Sequence, residues 1–372
     1  MKYIAFYDVP EINAEKRYVN AAARGVIEYM IDVFSSIPTG EVLSPGRTRH
    51  IKGVFHGKTV RISENAVLKI PFTFGVKTRV GRIISLLWSQ FWLFFYLLFH
   101  TKRGEKVVFY HSLSLMTMIS FLEKLKGIKP VIEFREIYSD INSVSRRLTK
   151  KEHHYYQCAY AFIFPSDAIR IILGIDNKPY ALAPCAYTVH DYGEQRFSDG
   201  KIHCVYAGNL RREKGGAFLA IKAAKLLNED YVVHILGNGS VEQIEAINEE
   251  INNTKTKSKI IYDGFYSGED FYRFISRCQI GLATQQTGSF SNTSFPSKIL
   301  SYMGCGLKVV CPNIDSIKES PISDYVNMYD EKRVASIAET IDLSAKAEFA
   351  DYRKVLRELD KELKDQIGFL FS

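Results

Sequence analysis

Positive side chains and glycines are concentrated in one short stretch, "AGNLRREKGG", residues 207–216. Gly208 permits a tight turn after a strand, and two further glycines at its end let backbone approach a ligand. Arg211, Arg212 and Lys214 bring positive charge to the same turn. This combination suits a diphosphate. Taken alone, the stretch is equally consistent with a solvated basic loop around a glycine turn.

A second candidate is "SFSNTSFPSKILSYMGCG", residues 289–306, which reads as a loop entering a helix. Thr293 or Ser294 lies near the expected N-cap, and Pro296 near the first turn, where proline is tolerated. The free N–H groups and positive dipole end of a helix start can hold an anion, and Lys298 adds a cation. Taken alone, helix capping explains the same residues.

A Gly-x-Gly pair, Gly237 and Gly239, lies between these two stretches in "LGNGS". A dinucleotide site requires Gly-x-Gly-x-x-Gly, whereas here the third position is Glu242. The pair is therefore weak support for an NAD enzyme, and an ordinary tight turn explains it as well.

The elements that must position these residues alternate regularly along the second half of the chain. Apolar runs typical of buried parallel strands alternate with segments of helical periodicity. Strands are predicted at 201–208, 231–237, 259–264, 279–284 and 307–311, and helices at 216–229, 240–253, 268–278 and 296–306. All three motifs then follow strands of one Rossmann-like sheet.

The first half shows the same rhythm with longer insertions. Strands are predicted at 3–8, 106–110, 130–134 and 161–164, helices at 13–34, 79–100, 113–126, 145–158 and 166–173, and an irregular region before residue 79. The fold class is therefore α/β, with two Rossmann-like domains facing across a cleft, residues 1–190 and 198–344. A charged helix within 345–372 is expected to pack back on the first domain. Ligands should bind at the carboxyl ends of the strands, in that cleft.

Composition and charge narrow the function classes. The 372 residues carry a net charge of +8, but residues 1–190 hold 26 Lys and Arg against 15 Asp and Glu, a net charge of +11. The N-terminus lacks the pattern of a signal peptide, and the six cysteines show no paired spacing, which favours a reduced cytoplasm. No nucleic-acid-binding signature accompanies the positive charge, so an anionic membrane surface is the better candidate partner.

The segment "RVGRIISLLWSQFWLFFYLLFHTKR", residues 79–103, bears on the membrane question. Its uncharged run from Ile83 to Phe99 is short for a spanning helix. It is either a buried helix of the first domain or an interfacial helix, or has one face in each setting. In the interfacial case, Trp88 and Trp92 suit the headgroup region, and the flanking Arg79 and Arg82 would meet anionic lipid.

The order of the motifs in residues 207–311 resembles the retaining GT-B glycosyltransferases, the family-4-like (group 1) enzymes that use nucleotide sugars. The resemblance implies that Lys214 contacts the donor diphosphate with help from Arg211 or Arg212. It also implies which residues contact each part of the donor. These are Gly208, Gly237 and Gly239 at the nucleotide, Phe265 at the base, and Phe295, Pro296, Ser297 and Lys298 at the phosphates and sugar.

Departures from the family pattern concern sugar and ribose recognition. Thr293 and Ser301 stand where the family has glutamates, and Asn209 stands where it often has arginine. A hydroxyl at Ser301 could still reach a ribose. The chain lacks the Asp-x-Asp motif of the other large glycosyltransferase fold, so no metal or other cofactor is expected, and a UDP-sugar is the expected donor substrate.

Candidate acid–base residues lie in the first half. Glu133 and Glu136 in "VIEFREIYSD", and His111 in "VVFYHS", follow predicted strands and are expected to face the cleft. Any of them could orient or deprotonate an acceptor hydroxyl, or they could be structural polar groups. In a retaining enzyme the departing phosphate can take the proton instead.

These observations predict a cytoplasmic, membrane-peripheral glycosyltransferase. It would move a sugar to a glycan or a polyprenyl-linked glycan in bacterial surface polysaccharide synthesis. The alternatives are a nucleotide-sugar 2-epimerase of the same fold, an inactive GT-B protein that binds a partner, and an NAD enzyme. Donor sugar, acceptor, linkage and oligomeric state do not follow from the sequence.

Overall fold

The computed structural model describes residues 1–9, 17, 19, 21–35, 37, 40–48, 51–137, 146–193, 196–287, 294–348 and 350–372. These residues form two compact units. Unit 1 comprises Met1–Pro165, Leu173–Ala186 and Glu362–Ser372, and unit 2 comprises Ser166–Ile172 and Tyr187–Lys361. Each unit is built around one mainly parallel sheet, as the alternating strand and helix patterns predict.

Unit 1 contains ten described strands and the helices that cover them. The strands are β1 (Lys2–Ile4), β2 (Gly40–Leu43), β3 (Gly53–Phe55), β4 (Lys58–Ser63), β5 (Ala66–Ile70), β6 (Thr73–Gly75), β7 (Lys106–Tyr110), β8 (Lys129–Glu133), β9 (Ala161–Phe164) and β10 (Tyr180–Leu182). The helices are α1 (Ala21–Ser35), α2 (Arg79–His100), α3 (Met116–Lys126) and α4 (Arg146–Cys158), followed in the chain by α5 (Asp167–Leu173), most of which belongs to unit 2.

The sheet of unit 1 has the strand order β10-β9-β8-β7-β1-β2-β5-β4. Its neighbours pair in parallel except β4, which pairs antiparallel with β5 at the edge. Strands β3 and β6 form a separate antiparallel pair. In its described residues, the region expected to be irregular before residue 79 therefore contains five short strands. Strand β4 is exposed or half-buried along its length, and β2 is only four residues long. Such strands give a shorter and weaker apolar pattern than long buried strands do, and this explains why the sequence pattern missed them.

Unit 2 has a six-stranded parallel sheet in its described part. The strands are β11 (Ile202–Ala207), β12 (Tyr231–Leu236), β13 (Lys259–Gly264), β14 (Ile280–Leu282), β15 (Lys308–Pro312) and β16 (Asn327–Tyr329), in the order β13-β12-β11-β14-β15-β16. The helices are α6 (Gly216–Ala224), α7 (Val241–Asn253), α8 (Gly268–Ile275), α9 (Lys298–Gly304), α10 (Asp315–Lys318), α11 (Val334–Lys346) and α12 (Tyr352–Phe371), whose last turns belong to unit 1.

The core of unit 2 lies between its sheet and the helices α6, α7 and α11. Ile221, Ile247 and Ile341 are fully buried there against strand residues such as Val233 and Ile235. Burying an aliphatic side chain of this size stabilises the fold by about 1.5–3 kcal/mol. This packing fixes the carboxyl ends of β11, β12 and β14, from which the candidate loops emerge.

Candidate functional site

Lys298 brings the two basic motifs of unit 2 together. Its Nζ lies 4.2 Å from the centre of the Tyr206 ring, at the end of β11. A Cβ atom at position 208 would lie only 2.6 Å from the same Nζ. The chain therefore accommodates the ammonium against the backbone of Gly208 because this residue has no side chain. The two stretches that the family resemblance assigns to the donor phosphates are therefore in direct contact.

Tyr302 fixes helix α9 so that Lys298 reaches this position. The side chain is fully buried, and its Oη accepts a hydrogen bond from the Ala207 N–H at 2.8 Å. The hydroxyl also lies 3.4 Å from the Leu282 carbonyl, to which it donates. Residues four apart share one helix face, so anchoring Tyr302 to β11 and β14 also orients Lys298.

Replacing Tyr302 with phenylalanine is expected to lower the free energy of unfolding by about 1–3 kcal/mol, because the buried Ala207 N–H loses its acceptor. Chemical denaturation monitored by circular dichroism measures this loss. The control is Tyr325→Phe at a partly exposed tyrosine, where the expected change is within about 0.5 kcal/mol. Equal stability of the two variants would show that Tyr302 does not anchor α9.

The basic loop after β11 is folded tightly against the segment that follows β14. Residues Arg212–Lys214 form one turn of 3₁₀ helix, and Gly215 has φ of 67°, which favours glycine. A Cβ at Gly216 would lie 2.6 Å from the Thr284 carbonyl. The Thr284 hydroxyl donates to the Gly216 carbonyl at 2.8 Å. The two glycines are therefore required for packing as well as for any approach of a ligand.

The basic side chains of this loop do not all point to Gly208. The Arg212 guanidinium lies 4.3 Å from the centre of the Phe218 ring, and its Nη2 is 3.5 Å from Glu250. Arg212 thus contacts α6 and α7. Arg211 and Lys214 are exposed to solvent.

The Gly-x-Gly turn after β12 packs directly on the basic loop. A Cβ at Gly237 would lie 2.2 Å from the Gly208 carbonyl oxygen. The Gly237 N–H donates to the Gly264 carbonyl at 2.9 Å, which ties the turn to the end of β13. Gly239 precedes Ser240, which caps α7 through a capping box. Phe265, directly after β13, is 60% exposed.

Helix α9 begins later than the sequence pattern predicts. Its N-cap is Ser297 and its first residue is Lys298, so Ser294 and Pro296 precede the helix. Thr293 lies outside the described residues. The Ser294 carbonyl accepts from the Ser316 hydroxyl at 3.2 Å, which holds the segment before the helix. The pattern misplaced the start because Ser294 and Ser297 are both acceptable capping residues.

The remaining predicted donor residues lie beside this start. Phe295 is buried and Ser301, in α9, is half-buried. Asn209 is exposed, and its Oδ1 accepts from the Arg211 N–H at 2.8 Å. A side-chain oxygen that accepts from its own loop stabilises the turn. Asn209 therefore shapes the basic loop in place of supplying a charge.

Lys298 is a cation without a countercharge in the described part of the chain. Burial lowers the pKa of its ammonium to about 8. The Tyr206 ring face offers a cation–π contact, which compensates only in part for lost hydration. An anion bound at Gly208 would supply the missing charge and raise that pKa.

The affinity for a nucleotide diphosphate sugar is therefore expected to fall as the pH rises above 8. The diphosphate of such a donor keeps its charge in this range, whereas free Lys298 loses its proton. Binding then requires proton uptake, which weakens affinity up to about tenfold per pH unit. Calorimetry between pH 7 and 9.5 measures this. Lys298→Met should bind weakly at every pH, and an equal pH dependence in both proteins would contradict this role.

The candidate acid–base residues of unit 1 are mostly enclosed. Glu133 is fully buried, accepts from the Tyr3 hydroxyl at 2.6 Å and pairs with Arg135. His111 is 1% exposed and stacks on Phe134 with ring centres 4.4 Å apart, and burial lowers its pKa to about 3.

Both side chains were expected to face the cleft. Both are instead buried, and their contacts are structural. A strand end was expected to expose Glu133, but Arg135 and Tyr3 close over it. Glu136 is half-buried, and of the three it alone is at the surface.

Helix α2 buries serines and exposes large apolar side chains. Ser85, Ser89, Leu93 and Leu97 face the unit, and the Ser85 hydroxyl donates to the Phe74 carbonyl at 2.5 Å. The outward residues include Val80, Ile83, Ile84, Leu87, Trp88, Phe91, Phe95 and Phe99, which we call the apolar face of α2. One face of α2 therefore packs in the unit, and the opposite, apolar face is exposed.

The predicted membrane contacts take different positions on α2. Trp88 is 49% exposed, with its Nε1 donating to the Phe72 carbonyl at 2.9 Å. Trp92 is half-buried beside Tyr96, with ring centres 5.4 Å apart. Arg79 and Arg82 are exposed on the first turn. Among the described helices, α2 is long and apolar enough to cross a membrane. Core helices of soluble proteins can have the same length and composition. In α2, 22% of the most apolar 18-residue stretch is buried.

The family comparison concerns unit 2. Residues 201–343 match the family model described as glycosyl transferases group 1. This region is a group 1 glycosyltransferase domain. The match covers β11 to α11 and so contains Gly208, Lys214, Gly237, Phe265 and Lys298.

Solved structures of low sequence identity share the fold over the full chain. A sucrose-phosphate synthase from Thermosynechococcus elongatus is 12% identical, with a TM-score of 0.68 over 100% of this chain and 97% of that one. A trehalose-6-phosphate protein from E. coli bound with UDP-2-fluoro glucose is 9% identical, with a TM-score of 0.65 over 99% and 97%. No curated protein matches the sequence significantly.

A third structure is an α,α-trehalose-phosphate synthase (UDP-forming) from Burkholderia xenovorans in complex with glucose-6-phosphate. It is 8% identical, with a TM-score of 0.60 over 98% of this chain and 96% of that one. These likenesses confirm the predicted GT-B fold class with its two Rossmann-like domains. In the described residues, no group of three or more His, Cys, Asp or Glu side chains could hold a metal ion.

Proposed function

We propose that this group 1 glycosyltransferase transfers a sugar from a UDP-sugar to a glycan or lipid-linked glycan, with retention and without a metal. The observation that carries the proposal is the Lys298 ammonium, which lies against Gly208 without a countercharge from the described residues. A bound diphosphate would provide that charge. Unit 2 is accordingly the donor-binding part, with Lys214 at the rim of the same loop.

Leaving-group stabilisation is the chemistry that this arrangement can perform. As the bond from the sugar to the diphosphate breaks, negative charge grows on the phosphate oxygen. A preorganised cation at that position stabilises the transition state more than the ground state. In a retaining reaction the departing phosphate can accept the proton of the acceptor hydroxyl. This fits the enclosure of Glu133 and His111, which leaves Glu136 as the candidate to orient the acceptor.

Unit 1 is proposed as the acceptor-binding part, held peripherally at the inner face of a bacterial plasma membrane. The apolar face of α2 supplies the contact with the acyl region, since its residues are exposed over several turns. Arg79 and Arg82 begin the same helix, and residues 1–190 carry the excess positive charge that anionic lipids attract. The setting that suits such a protein is surface polysaccharide synthesis.

A second candidate is an inactive GT-B protein that binds a nucleotide sugar or a partner. The residues at 293 and 301 support this candidate, since Thr293 and Ser301 stand where the family that the chain resembles has glutamates. The loss of a charged ribose contact would weaken donor binding without changing the fold.

The decisive assay incubates the purified protein with UDP-sugars and a bacterial membrane lipid extract, in the presence of EDTA. The proposal predicts UDP release that depends on the extract, and a product that retains the anomeric configuration by NMR. Donor binding without UDP release in any combination would favour the inactive protein. Product formed from the donor alone, with an altered sugar, would indicate the epimerase.

A further inference from the structure

An arginine-lined cavity opens in unit 1 at the carboxyl edge of its sheet, and we propose that it binds the phosphate or diphosphate group of the lipid-linked acceptor. The cavity has a volume of about 490 Å³. It lies where β2 and β7 end, since its lining includes the turn after β2 and Ser114 after β7. Its polar lining includes Arg47, Arg79, Arg82, Ser85, Ser89 and Ser114.

The chemistry of this lining is that of a phosphate site. The guanidinium groups of Arg79 and Arg82 offer planar donors that match phosphate oxygens in pairs. The Ser85 and Ser89 hydroxyls line the cavity but donate to the Phe74 and Leu86 carbonyls. None of the described lining residues is acidic. Among the described residues, no carboxylate pairs with the Arg79 or Arg82 guanidinium. The charge is therefore available to an anionic ligand, and a doubly charged diphosphate suits it better than a neutral sugar.

A second groove, which is apolar, suits the lipid chain of such a ligand. It lies between α2 and α3, has a volume of about 810 Å³ and is lined by Leu87, Phe91, Phe94, Met116 and Phe121. Ser114 lines both cavities, so the apolar groove and the arginine cavity are adjacent. The combined site fits an amphiphile with a phosphate head and one long apolar chain, such as an isoprenoid diphosphate.

The position of the two cavities beside α2 gives a membrane lipid a path into the site. Both cavities border α2, whose apolar face is exposed on the same helix. An acceptor lipid could leave the bilayer along that face while its head remains near the sheet edge, where α/β folds bind ligands. This inference rests on the proposed function, because only a glycosyltransferase acting on a lipid-linked acceptor requires it.

The test uses the full chain and farnesyl diphosphate as the probe, with farnesol, pyrophosphate and vesicles of anionic phospholipid as comparisons. We expect farnesyl diphosphate to bind at least tenfold more tightly than farnesol or pyrophosphate by calorimetry. The Arg79→Gln/Arg82→Gln double variant should lose at least tenfold of this affinity. Arg82→Lys should lose less, and the control Arg61→Gln, at an exposed arginine outside the cavity lining, should lose nothing.

Phe121→Glu should weaken farnesyl diphosphate binding at least fivefold without changing the binding of pyrophosphate. Unchanged farnesyl diphosphate affinity in the double arginine variant would overturn the proposal. Loss of vesicle binding with unchanged farnesyl diphosphate affinity would likewise overturn it, since the arginines would then contact only the headgroups of the membrane surface. UDP binding is the separate readout. Its retention in all variants shows intact folding, whereas its absence in the wild-type protein contradicts the proposed function instead.

Discussion

Replacing Lys298 with alanine is expected to lower the rate of sugar transfer about 10²–10³-fold, the usual effect of removing one preorganised group at a developing negative charge. The physical reason is the position of Nζ against Gly208, where it can meet the leaving diphosphate. The stability of the ligand-free protein should not fall. Burial already lowers the pKa of this ammonium to about 8, so its removal relieves a desolvation cost.

Steady-state kinetics with saturating acceptor measure the loss, and denaturation curves measure stability. Lys222→Ala is the matched control, because Lys222 is an exposed lysine on α6 whose removal should leave the rate unchanged. A Lys298→Ala enzyme that keeps its rate within threefold of the wild-type protein would show that the ammonium has no role in departure of the phosphate.

Placing glutamates at Ile84 and Phe99 is expected to reduce partitioning to anionic vesicles by about 100-fold or more. Both side chains are exposed on the apolar face of α2, at 53% and 71%. Burying a side chain of this size in an apolar phase contributes about 1.5–3 kcal/mol. Two carboxylates remove that contribution and add repulsion from anionic headgroups. Neither residue lines the arginine cavity or the apolar groove.

Vesicle sedimentation gives the partition coefficient, and UDP binding in solution confirms that unit 2 is intact. Leu343→Glu is the control, since Leu343 is a similarly exposed apolar residue on α11 of unit 2. If the α2 variant and the control bind vesicles equally well, α2 is not the membrane contact.

The pairing of the basic loop with α9 could be predicted from the sequence because parallel strands fix where their following loops lie. Once the strands before Gly208 and Phe295 were recognised, their carboxyl ends had to share one edge of a sheet. The regular apolar runs of unit 2, buried on both faces, made those strands easy to recognise.

Side-chain direction was less accessible to sequence reasoning. The Arg212 side chain is directed by Phe218 and Glu250, which belong to α6 and α7. Glu133 follows the expected strand, but closure by Tyr3 depends on a residue 130 positions away. Contacts of this kind are set by packing, which local patterns do not encode.

The exposure of α2 was ambiguous for a related reason. Its composition fits a core helix and an interfacial helix equally well, and the buried Ser85 and Ser89 would normally be assigned to the outer face. The Ser85 hydroxyl finds its acceptor in the Phe74 carbonyl of β6, a strand in the region predicted to be irregular.

Binding of nucleoside diphosphates to the purified chain decides whether unit 2 is a nucleotide-sugar site. The measurement is thermal unfolding with UDP, GDP, ADP and NAD, each at about a hundred times its dissociation constant if it binds. We expect UDP to raise the melting temperature, since a ligand at a hundred times its dissociation constant adds about 2.7 kcal/mol of stability. We also expect Lys298→Ala to lose most of this shift. If no nucleoside diphosphate shifts the melting temperature, or NAD alone does, the account of this chain as a nucleotide-sugar glycosyltransferase is contradicted.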